Sequence, residues 1–194
     1  MNGSAPRLIL ASASPRRREL LAAAGYVFEI HPADIDEEDH PPMGPAQLAG
    51  FLAVAKAAVI AGQFPDCVVL AADTMVAVGD LAIGKQPDES AATKTLELLS
   101  DTTHQVITGI CVEHRARGFH RQAIVSTTVV MKKLSTDEIA AYVASGQWRG
   151  KAGGYGIQDE GTERFILSTA GSHTNIMGLP MEKTAELLAE GDIR

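Results

Sequence analysis

The sequence predicts an α/β protein whose mixed central sheet is extended largely by antiparallel pairing and flanked by helices. Three observations carry this. Short apolar runs alternate with capped, helix-like stretches from Arg7 to Gly191. Two long β-rich segments, Gln105 to His114 and Ile124 to Lys132, surround a turn near Gly118 and read as an antiparallel pair. Gly79-Asp80 is a hairpin signal between Met75–Val78 and Leu81–Ile83. Interleaved helices with hairpins exclude a purely parallel sheet.

Taken in order, Arg7 to Ala11 reads as a short buried strand. Ser14-Pro15 then opens a helix, Ser as N-cap and Pro at the first helical position, and Gly25 stops it. Tyr26 to His31 alternates like a strand. Asp34 to Asp39 is an acidic loop flanked by Pro32 and Pro41-Pro42. Pro45 starts an Ala-rich helix that ends near Gly62. Val68 to Asp73 is a continuous apolar strand, extended by Met75 to Val78. Asp88 caps a helix to about Ser100. Ser135-x-x-Glu138 is a capping box for a helix ending at Gly146. A glycine-rich stretch runs from Gly150 to Gly161, and Phe165 to Ser168 is a last strand. Gly178-Leu-Pro180 leads into a final helix. No repeat or linker divides the chain, so residues 1–194 read as one domain.

Composition narrows the function. A chain that is 45% hydrophobic and 21% charged can bury a sizeable core. Its net charge of −7 argues against a nucleic-acid polymer as partner, because such binding displaces counterions from a cationic surface. One small polyanion at a local basic site remains open. Cys67 and Cys111 sit in apolar β-like runs and read as buried thiols, and no cysteine or histidine spacing suggests zinc. Leu8-Ile-Leu10 is too short for a signal peptide, and its positive cluster lies on the wrong side. The run from Leu52 to Ala61 carries Lys56 and is too short to span a bilayer. No membrane partner and a cytoplasmic location are the expectation.

The sharpest anomaly is Ser12-Ala-Ser-Pro-Arg-Arg-Arg18. Three arginines in a first turn oppose the helix dipole, at a few tenths of a kcal/mol or more each, roughly. Either they form a solvated run with Glu19 as partner, or an anion bound at the helix start reverses the sign of the problem. Asp73, at the end of an apolar strand, lies where open α/β sheets bind ligands, although it could simply cap a turn. Lys56 on an apolar helix face either snorkels to solvent or presents a point charge to phosphate. Loop residue Lys85 has the same two readings. One residue of the acidic loop could ligate magnesium; most read as a charged surface. Gly150-Lys-Ala-Gly-Gly-Tyr-Gly-Ile-Gln158 is not a Walker motif, because the spacing fails and no Ser or Thr follows Lys151.

In order along the chain these pieces resemble the Maf family of nucleotide pyrophosphatases. The matching segments are Ser12-Ala-Ser-Pro-Arg-Arg17 with Glu19-Leu-Leu21, Lys56-Ala57, Ala72-Asp-Thr74, Gly84-Lys85, Leu99-Ser100 with His104-Gln-Val106 and Thr108-Gly109, Lys151-Ala-Gly153 with Tyr155-Gly-Ile-Gln158, and Gly178-Leu-Pro180. The resemblance implies two lobes sharing one sheet with a deep cleft between them, as in the inosine triphosphate pyrophosphatase-like folds, and a homodimer. It implies hydrolysis of a nucleoside triphosphate to the monophosphate and pyrophosphate with a divalent cation, Mg²⁺ ahead of Mn²⁺. Ser12 and Arg17 match the phosphate-binding motif, with Arg16 as a neighbouring substrate contact. Lys56 and Lys85 match the family lysines, and Lys85 counts with the catalytic set. Asp73 matches the catalytic acid and Thr74 its neighbour. Glu37 matches an acidic position that, with Asp73, holds the metal.

Gln158 closes a Tyr-Gly-Ile-Gln motif that resembles the subgroup acting on dTTP and UTP. Two departures stand out. Gln86 separates Lys85 from Pro87, where the family usually has Lys-Pro, and Glu160-Gly161 resembles the subgroup acting on 7-methyl-GTP. A dTTP/UTP pyrophosphatase is therefore the leading expectation. The alternatives are a 7-methyl-GTP or other non-standard nucleotide pyrophosphatase, and a nucleotide-binding regulator of septum formation.

Overall fold

In the computed structural model, which describes residues 6–193, the chain begins with β1 (Leu8–Leu10), α1 (Pro15–Ala23), β2 (Phe28–Ile30) and α2 (Pro45–Gln63). There follow β3 (Val68–Val78), β4 (Leu81–Ile83), α3 (Glu89–Leu99), β5 (Thr103–His114), β6 (Phe119–Met131) and α4 (Thr136–Ala144). The chain ends with β7 (Ile166–Ala170), α5 (His173–Ile176) and α6 (Met181–Glu190). The strands form one seven-stranded sheet ordered β2-β1-β3-β5-β6-β7, with β4 paired to β3 off that path. β1 lies parallel to β2 and β3. All other pairs are antiparallel, so the expected mixed sheet with antiparallel extension is what forms.

β3 is apolar without a break from Val68 to Ala72 because both of its faces are covered there. Val68, Leu70 and Ala72 pack with Leu21, Leu187 and Leu188 on one side. Val69 and Ala71 pack with Ala53, Ala57 and Ile60 of α2 on the other. α2 is long and apolar enough by composition to cross a membrane, but half of that stretch is buried inside this core. Its close approach to the sheet depends on Gly109 of β5, where an added Cβ would run into the Ala49 carbonyl.

The hairpin turn after β5 is one 3-10 turn, Arg115–Arg117, closed by Gly118 at φ 62°. Asp88 and Ser135 cap α3 and α4 as expected, accepting from Ala91 N and Glu138 N. Ser14 is the α1 N-cap but its side chain makes no capping bond; its backbone N–H donates to Ser12 Oγ instead, at 3.2 Å. α5 was not expected, since four residues are too few to show a helical period.

Candidate active site

Strand alternation sets the centre of the site. Val69 and Ala71 face α2, so Asp73 does too, and Thr74 takes the opposite face. On α2 the residues Ala49, Leu52, Ala53, Lys56, Ala57 and Ile60 form one buried stripe. Lys56 is therefore driven inward, 7% exposed, rather than out to solvent. Its ammonium lies 2.5 Å from Asp73 Oδ1 and 2.7 Å from Glu37 Oε1. A buried lysine is tolerated only with such partners. Burial pushes the Glu37 carboxyl up. The Lys56 hydrogen bond and the charges of Lys56, Lys85 and Arg17 outweigh that, and its pKa lies below the ordinary glutamate value.

On the other face Arg17 gathers the strand ends. Its Nε donates to Gly178 O at 2.8 Å and its Nη1 to Ala72 O at 2.7 Å and Ser12 Oγ at 3.2 Å. Its Nη2 donates to Thr74 Oγ1 at 3.0 Å. Burial lowers its pKa and the charge of Asp73 opposes that; an arginine stays charged regardless. The solvated-run reading of the arginine cluster fails for Arg17. The picture of its guanidinium as wholly free for phosphate also needs revising, because these bonds occupy most of the fork. Arg16 donates to Gly150 O at 3.2 Å, and Arg18 is exposed.

These groups border a cavity of about 350 Å³. Ser12, Arg16, Arg17, Glu37, Lys56, Thr74 and Lys85 all line it. Asp73 joins them through its bond to Lys56. Gln158 does not line it: its side chain is exposed, while Tyr155 and Gly156 of the same motif form part of the wall. The lining combines these polar and cationic groups with the apolar side chains of Val76, Val106, Tyr155, Ile176 and Met177. The glycine-rich segment folds over the site because Gly153, at φ 69°, lies where a Cβ would stand 2.6 Å from Val76 Cγ2.

Lys151 and His104 line or support the cavity but carried no role in the sequence reading. Lys151 lines the cavity with its ammonium on Asp159, which also accepts from Tyr142 Oη at 2.7 Å. Its signals in the sequence were its place among glycines and in the Lys151-Ala-Gly153 segment. His104 stands behind Tyr155, with Nε2 2.6 Å from the Tyr155 hydroxyl. Burial lowers the His104 pKa to about 4. The ring is thus neutral in the fold, whereas the unfolded chain protonates it near pH 6.5. Stability from this group is present above pH 6.5 and is lost as pH falls toward 4, by about 3 kcal/mol at full effect. Replacing it should flatten that dependence: His104→Phe is expected to show a weaker loss of unfolding free energy between pH 6.5 and 4, measured in denaturant. An unchanged pH slope would refute the assignment.

Asp73 and Glu37 offer only oxygen donors and already share one cation, the Lys56 ammonium, so the pair fits a hard divalent cation. The other members of the acidic loop, Asp34, Asp36, Glu38 and Asp39, do not line the cavity. A second cluster, Cys111, Glu113 and His120, lies farther along the β5–β6 hairpin. Arg115 Nε already stands 3.4 Å from Glu113 there. Its β5 members, Cys111 and Glu113, are two and four residues along from Gly109, the partner of Asp73 in the sheet register.

The family described as Maf-like protein matches residues 7–191. A protein of Hyphomonas neptunium named dTTP/UTP pyrophosphatase is 49% identical over 189 residues, covering 97% of this chain and 96% of its own. Proteins of the same name from Brucella abortus and Moorella thermoacetica are 45% and 43% identical. They cover 95% and 94% of this chain, and 91% and 94% of their own. Among solved structures, a HAM1 protein from Coxiella burnetii superposes with a TM-score of 0.57 at 18% identity, covering 95% of this chain and 99% of that one. That likeness concerns the fold alone.

Proposed function

This chain belongs to the Maf-like family, and on that premise we propose that it is a nucleoside triphosphate pyrophosphatase that hydrolyses dTTP and UTP to the monophosphate and pyrophosphate. The carrying observation is the Asp73–Lys56–Glu37 arrangement beside a cavity lined by both cationic and apolar side chains. Simple nucleotide binding needs cations; it does not need a buried acid and a second carboxylate converging on one lysine.

The triphosphate occupies the end lined by Ser12, Arg16, Lys56 and Lys85, where fixed positive charge stabilises the charge that develops on its oxygens. The base packs against the apolar side chains beside Tyr155. Asp73 and Glu37 would hold Mg²⁺, whose charge would offset that of the phosphates. Asp73 accepts a proton from a water whose oxygen bonds to the α-phosphorus. The bond from that phosphorus to the α–β bridging oxygen breaks, and pyrophosphate leaves with the electron pair. Arg17 holds Ser12 and Thr74 in place. Gln158, exposed and outside the cavity wall, would have to turn inward beside Gly156 to meet the base; its carboxamide both donates and accepts, matching the uracil or thymine edge. On this reading the enzyme acts on free nucleotides in the cytoplasm, as a homodimer.

The test is pyrophosphate release from a nucleotide panel, with Mg²⁺ and with a chelator. We expect kcat/KM for UTP and dTTP to exceed that for CTP, ATP and GTP, and activity to vanish with the chelator. A preference for GTP or 7-methyl-GTP would overturn the pyrimidine assignment.

A further inference from the structure

Gln86 is the residue that departs from the family's Lys-Pro pattern, and its side chain makes two hydrogen bonds that bear on Lys85. Its Nε2 donates to Gly84 O at 3.0 Å, and its Oε1 accepts from Thr95 Oγ1 of α3 at 2.9 Å. Gly84 O also accepts from Gly153 N at 3.0 Å, and Lys85 pairs with Ala152 through an isolated β-bridge. A Cβ on Gly154 would stand 3.3 Å from Gln86 Cγ, so the glycine lets that segment lie against the Gln86 stem. One carboxamide therefore ties α3, the Lys85 loop and the glycine-rich wall of the cavity together. Lys85 has an exposed, flexible side chain and makes no ion pair among the described residues. Its reach toward the cavity is fixed by the backbone that carries it. Positioning of such a group is worth large factors in rate, because misplacement by about 1 Å can cost on the order of 10²-fold.

We propose that Gln86 is a positioning residue for substrate binding, holding Lys85 at the phosphate end of the cavity; this rests on the reading of Lys85 as a phosphate-binding residue. A double-mutant cycle tests it, with kcat and KM for UTP measured on wild type, Lys85→Ala, Gln86→Ala and the double variant. Gln86→Ala is expected to lower kcat/KM about tenfold in the wild-type background, chiefly through KM, and less than about twofold once Lys85 is gone. Thr95→Val should reproduce the Gln86→Ala effect, and it takes that variant's place in the cycle if Gln86→Ala does not fold. Gln86→Glu keeps an acceptor for Thr95 but sets an acceptor against Gly84 O, so it should not restore KM. An equal loss with and without Lys85 overturns the proposal alone. If Lys85→Ala hydrolyses UTP normally, the phosphate-binding reading of Lys85 falls, and the proposal with it.

Discussion

Asp73→Asn is expected to reduce kcat for UTP by about 10²-fold or more, a barrier increase of roughly 3 kcal/mol. The substitution keeps the shape of a residue that is 6% exposed and removes its charge and its capacity to take a proton. Lys56 retains Glu37 as a partner 2.7 Å away, so the ammonium is not stranded. The loss should therefore appear in turnover, with the thermal midpoint little changed. Pyrophosphate release and a melting curve on the same preparation separate the two effects. Near-normal turnover by the Asn variant would remove Asp73 from the catalytic role.

How far the site could be read from the sequence follows from the range of each interaction. The β3 run and the Ala-rich helix were legible because burial on both sides of a strand, or along one helical stripe, leaves a local pattern. Asp73 stood out because it ends such a run, and alternation then fixes which face it takes. Lys56 was seen as an interruption, but its direction depended on Asp73 and Glu37, which a helical pattern alone does not reveal. Arg17 illustrates the limit most sharply. Its bond to Gly178 O spans 161 residues, and nothing within the helix turn foretells it. Likewise no local rule distinguishes Glu37 from the four other acids of its loop, and the His104–Tyr155 contact joins residues 51 apart. Gln158 belongs to a motif whose neighbours line the cavity while its own side chain is exposed, so motif membership located the wall but not each side chain on it. Gln86, conspicuous as a departure in the sequence, acquires a physical account only from Thr95 and Gly84.

Lys56→Met is expected to separate metal binding from folding. The methionine fills the lysine's space on the α2 stripe but removes the ammonium between two carboxylates. Asp73, with its side chain 9% exposed, would then be a buried charge without its close partner; Glu37, at 43%, can rehydrate. Breaking a buried pair from one side costs about 3–5 kcal/mol. The lower figure suits a site with one half-open partner, and in a chain of this length it lowers the melting midpoint by roughly 10 °C. Because the remaining acids form an uncompensated oxygen pair, Mg²⁺ should restore more stability to the variant than to wild type, an increment that grows with the ratio of free ion to its Kd. Melting curves of both proteins across a Mg²⁺ titration read this directly. Equal Mg²⁺ shifts in the two would exclude Asp73 and Glu37 as the metal pair. An unchanged midpoint without Mg²⁺ would mean that the lysine does not compensate the acids in solution. Turnover should stay low in the variant at every Mg²⁺ concentration, because the added ion replaces the charge that the carboxylates lose but not the cation that Lys56 presents to phosphate.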